Sequence, residues 1–67
     1  MAGRKTAEMT HDFIERMVLG ILKRIHAPEA SKSEFFYRIA RKELPLEGMT
    51  NSEYNHALVI IKRYLAL

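Results

Sequence analysis

Three histidines, His11, His26 and His56, are the side chains in this sequence best suited to ligate a metal or move a proton near neutral pH. None has a second histidine four residues away, the spacing that puts two imidazoles on one helical face, and the chain has no cysteine. Ser31, Ser33 and Ser52 stand where helix caps or exposed polar residues are expected, not beside a base that would activate a hydroxyl. The glycines, Gly3, Gly20 and Gly48, are scattered and build no phosphate-cradling loop. No catalytic set, metal site or cofactor is therefore expected, and so small a body is expected to enclose no pocket for a small-molecule substrate.

The remaining chemistry is recognition. In the stretch TNSEYNHALVIIKRYLAL, positions 50 to 67, a helical spacing of about 100° per residue places Ser52, Asn55, His56, Val59, Lys62 and Arg63 on one side. These are side-chain types that read a major groove: asparagine pairs with adenine, lysine or arginine with guanine, and a small apolar group meets a thymine methyl. Lys62 and Arg63 also suit phosphates, and equally suit the C-terminal end of a helix dipole. In SKSEFFYRIARK, positions 31 to 42, Arg38, Arg41 and Lys42 fall away from the apolar residues with Tyr37 alongside. This is the densest positive charge in the chain, diluted by Glu34 and Glu43, and it suits the DNA backbone. Any solvated helix face collects such residues too, so the two readings stand side by side.

Three helices must hold these faces. The first is expected over Met9–His26, with Phe13, Ile14, Met17, Val18, Ile21, Leu22 and Ile25 as its apolar stripe. Thr10 or Asp12 caps it, and Pro28 prevents its continuation. SKSE at 31–34 matches a capping box, with Ser31 as N-cap and Glu34 reaching back. The second helix then runs to about Lys42, burying Phe35, Phe36, Ile39 and Ala40, and Leu44-Pro45 closes it. TNSE at 50–53 repeats the box and opens a third helix that buries Tyr54, Ala57, Leu58, Ile61, Tyr64 and Leu65. No segment alternates with period two. The fold class is all-α, a three-helix bundle of helix-turn-helix type, with 1–8 as a flexible basic arm and 9–67 as one domain.

Sixty-seven residues support one modest core. The net charge of +3 permits contact with nucleic acid or an acidic surface. No apolar run exceeds the five residues of ALVII, Ala57–Ile61, so no span of a membrane is expected, and MAGRKTAEMT lacks an apolar segment of the secretory kind. A cytoplasmic location fits. Leu19, opposite the first helix's stripe, with Val59, Ile60 and Leu67 on the third, supplies a candidate surface for a homodimer or another protein.

Residues 18–67 resemble the three-helix core of a helix-turn-helix domain of the winged-helix type. SKSEFFYRIARK stands as the positioning helix and TNSEYNHALVIIKRYL as the recognition helix. The connection from Lys42 to Thr50 is longer than the turn of about 3–4 residues in a strict helix-turn-helix, and the wing hairpin has no counterpart in these residues. The resemblance implies a small non-enzymatic DNA-binding protein, a regulator or accessory factor binding double-stranded DNA. The alternative is a protein-binding adaptor or inhibitor, of the kind phages and plasmids encode, acting through the same helices.

Overall fold

The computed structural model describes residues 9–67 and contains three α-helices around one core. These are α1 (His11–Arg24), α2 (Glu34–Lys42) and α3 (Asn51–Leu65), with a short 3₁₀ turn over Leu46–Gly48 between the last two. The described residues contain no strand. The arm proposed over 1–8 lies outside the described residues. Among the described residues no helix is long and apolar enough to cross a membrane.

Each helix start is fixed by a side-chain oxygen. Thr10 accepts from the Phe13 amide at 3.1 Å, Ser33 from Phe36 at 3.2 Å and Thr50 from Glu53 at 3.1 Å. The box at Thr50 is complete, because the Glu53 carboxylate also accepts from the Thr50 amide at 2.8 Å. The expected Ser31 cap is not formed, and α2 begins two residues after its predicted N1 position. Lys32 is held instead in a left-handed conformation, φ 57°, from which its amide donates to the Leu65 carbonyl at 2.6 Å. The tie to α3 takes the backbone of residue 32 out of the helix. Ser33, extended at φ −92°, becomes the cap.

That tie belongs to a larger arrangement at the end of α3. A helix leaves four carbonyls without intrahelical partners. Here the Lys62 carbonyl accepts from Leu67, Arg63 from Ala66, Tyr64 from Ala30 and Leu65 from Lys32, so all four are paired. The first two bonds make a Schellman closure with Ala66 left-handed at φ 62°. The other two come from the α1–α2 connection, to which the Tyr64 hydroxyl also donates through the Ala27 carbonyl at 2.9 Å. The loop and the helix end thus satisfy one another, and the loop needs no glycine-rich sequence to stay in place.

The end of α1 uses the same device. Ala27 donates to Leu22 and His26 to Lys23, while buried Leu22 and Ala27 supply the apolar contact expected of a Schellman motif. His26 carries the left-handed conformation, φ 59°, where glycine is usual. Its side chain is exposed and its position is strained. His26→Gly is expected to stabilise the fold by about 0.5–1 kcal/mol, and His26→Val to destabilise it. Thermal unfolding measures both; equal midpoints for the two variants would contradict the assignment.

Ile14, Val18, Ile21 and Leu22 from α1 meet Ala40 from α2 and Ala57, Ile60, Ile61 and Leu65 from α3, with Ala27 and Leu44 added from the connections. Ile60, expected at a partner surface, is in this core. Both other helices pack on α3, so its buried stripe is wider than a single-contact helix would show. Leu19 is half-buried and packs against the core, not away from it. Phe13 is exposed on the flank of α1. Phe35 is exposed as well, because α2 turns Ala40 to the core and Phe35 lies roughly 140° around the helix from it. Phe36 and Ile39 are half-buried.

Candidate nucleic-acid interface

The outward face of α3 forms as its periodicity predicts. Ser52, Asn55, Val59, Lys62 and Arg63 are all exposed along about three turns, opposite the stripe of Ala57, Ile61 and Leu65. His56 stands apart from them. It is half-buried at the α1 edge, where its ring stacks on His11 with centroids 4.1 Å apart and planes inclined by 21°. Its imidazole is therefore part of the α1–α3 junction and reaches only the rim of the polar face. The stack joins residues 45 apart in sequence, and no local pattern announces it.

On α2, Arg38, Arg41 and Lys42 are exposed and Tyr37 is half-buried toward α3. The Tyr37 ring is shared. Arg41 Cζ lies 5.7 Å from its centroid, and Lys62 Nζ, from α3, also lies 5.7 Å away. Both distances fall within the range of about 6 Å in which a ring's negative face attracts a cation. One aromatic residue thus brings cations from two helices onto a common surface, despite their mutual repulsion. Glu34 and Leu67 complete the rim of the shallow groove in which Tyr37 and Lys62 sit.

The carboxylates near this surface are largely engaged elsewhere. Glu43 is ion-paired with Arg24 of α1, and Glu53 is buried beneath the start of α3. The Arg24–Glu43 pair is exposed on both sides, so its weight lies in charge placement more than in stability. Glu34, four residues before Arg38, is the carboxylate within α2 itself and is exposed. Helices α2 and α3 therefore present a joint surface whose exposed charge is mostly positive: Arg38, Arg41, Lys42, Lys62 and Arg63.

Of the four residues expected to meet a protein partner, Val59 and Leu67 are exposed, Leu19 is half-buried and Ile60 is in the core. They do not make one patch. Among the described residues no group of three or more His, Cys, Asp or Glu is arranged to hold a metal ion. Comparison with protein-family models, with curated proteins and with solved structures finds no match to this chain.

Proposed function

We propose that this protein binds double-stranded DNA without catalysing a reaction, as a cytoplasmic regulator or an accessory factor in a DNA transaction. The observation that carries this reading is the convergence of Arg41 and Lys62 on Tyr37. It makes the basic face of α2 and the polar face of α3 continuous, so that one helix contacts phosphates while the next meets base edges. Arg38, Arg41 and Lys42 hold the backbone; Asn55, Ser52, Lys62 and Arg63 face the groove, with His56 at its edge.

Binding of this kind weakens with salt, because each neutralised phosphate releases a counterion and steepens the dependence by about 0.9 in log–log slope. The combined variant Arg38→Ala and Arg41→Ala is expected to lower that slope by roughly 1.8 if both side chains contact phosphates. Both residues are exposed, so the fold is retained. Electrophoretic or fluorescence titration against a pool of duplexes at several salt concentrations measures it. Absence of any duplex binding at low salt would overturn the reading.

A protein-binding role has one observation in its favour: Val59, 45% exposed, stands in the middle of an otherwise polar face. A homodimer or adaptor contact there would persist at high salt and weaken on Val59→Asp. Phosphate-driven binding would instead be lost at high salt, and since the new carboxylate of Val59→Asp would weaken it too, the salt dependence is what separates the two readings.

A further inference from the structure

Phe35 is the most exposed large apolar side chain of the described residues, at 61%. It is in the first turn of α2, and its ring makes an edge-to-face contact with half-buried Phe36, centroids 5.3 Å apart and planes at 75°. The contact uses one edge of the ring and leaves most of it open to solvent. Along the same exposed side of the helix follow Arg38, three residues on, and Lys42, seven on. Side chains at that first spacing are surface neighbours, with about 5–6 Å between Cβ atoms.

An exposed ring beside two cations is the combination a single-stranded nucleotide chain requires. The base supplies a flat π face in any sequence, and the phosphates that follow supply the negative charge. An apolar protein surface would complement the ring but would leave Arg38 and Lys42 facing nothing suited to them. We infer that Phe35 is a stacking platform for an unpaired base, with Arg38 and Lys42 receiving the adjoining phosphates. The inference rests on the nucleic-acid reading above and extends it: Arg38 and Lys42, which hold the backbone of a continuous duplex, take the phosphates of the unpaired strand where duplex and unpaired strand meet, with Phe35 at the unpaired side.

The test uses the full chain and three probes: a duplex, a single strand of the same sequence, and a duplex bearing an unpaired 3′ extension. Each carries 2-aminopurine, whose fluorescence is quenched on stacking; the last carries it in the extension. The wild-type chain is expected to quench the probe in the single strand and the extension. Phe35→Ala should abolish the quench and weaken binding to those two by about tenfold or more, as loss of one stacked base does. Duplex affinity should stay within about twofold, and Phe35→Trp should retain the quench. Circular dichroism controls for folding, which truncation of an exposed ring leaves intact.

Salt-dependent duplex binding with no quench in either unpaired probe would overturn this inference and leave the duplex reading standing. Failure of all three probes to bind would remove both. Self-association of the wild-type chain that is lost on Phe35→Ala would assign the ring to a second copy and overturn the inference also.

Discussion

Ile61→Ala is expected to destabilise the protein by about 2–5 kcal/mol, the range for truncating a buried isoleucine. Ile61 is fully buried in the body of α3, the helix on which both others pack. Removing its side chain takes contacts from the core that the three helices share. The residues one turn before and after it on the buried side are Ala57 and Leu65, both fully buried. Ala57 has only a methyl group, which cannot rotate into the space, so most of the void persists, and the cost should approach the upper half of the range. For a chain this size the total stability is of order 3–10 kcal/mol. The variant should therefore be marginally folded at best, with a midpoint lowered by about 10 °C or more. Val59→Ala, two residues away on the exposed side, is the comparison and should change little. Similar midpoints for the two variants, followed by circular dichroism, would show that α3 does not present the faces described here.

The contrast between those two neighbours shows what the sequence carries well. Period and caps act within a helical turn, so the existence of three helices, the Thr50 cap, a first cap at Thr10 or Asp12, and the outward positions Ser52, Asn55, Lys62 and Arg63 were legible. Contacts between distant residues were not. Lys32 leaves the helix because the Leu65 carbonyl, 33 residues away, accepts its amide, and this turns the expected Ser31 box into a simple Ser33 cap. Ile60 is buried because α3 has two neighbours, which the apolar pattern of one helix cannot reveal. Phe35 was misplaced for a related reason. With four apolar residues in a helix of nine, hydrophobicity alone favours the large rings, whereas the tight packing position went to Ala40.

The candidate site divides in the same way. That Arg38, Arg41 and Lys42 form a basic face follows from spacing alone. That Lys62 joins them over Tyr37 depends on how α2 and α3 cross. His56 was expected among the outward residues because it is about 100° from Asn55, yet packing of α1 brings His11 over its ring. The face that results is narrower toward α1 and more continuous toward α2 than the separate helices suggested. On the proposed DNA-binding reading the phosphate contacts fall on the α2 side, where substitutions should act most strongly on the salt dependence.

Glu53 provides the second large effect. Its side chain is 9% exposed, and its two oxygens do different work. Oε1 accepts from the Thr50 amide and completes the box at the start of α3; Oε2 accepts from the Met9 amide, just ahead of the Thr10 cap of α1. Both distances are 2.8 Å, as expected of hydrogen bonds to an ionised acceptor. One carboxylate thus couples the beginnings of the two helices that share the largest part of the core. Its charge also lies in the first turn of α3, where the helix dipole favours it. Glu53→Ala removes the box and the tie together and should cost about 2–4 kcal/mol, combining a lost cap with a lost charge-assisted bond. Glu53→Gln is the more discriminating change. Glutamine serves in a capping box, but it has one oxygen, so it can receive either Thr50 or Met9 and must point its NH₂ at the other amide. It should recover part of the stability and leave one of the two amides exchanging quickly. Thermal unfolding gives the order wild type, Gln, Ala, and hydrogen exchange at Met9 and Thr50 shows which bond is lost. An alanine variant with a midpoint within about 2 °C of wild type would mean that the carboxylate does not join the two helices.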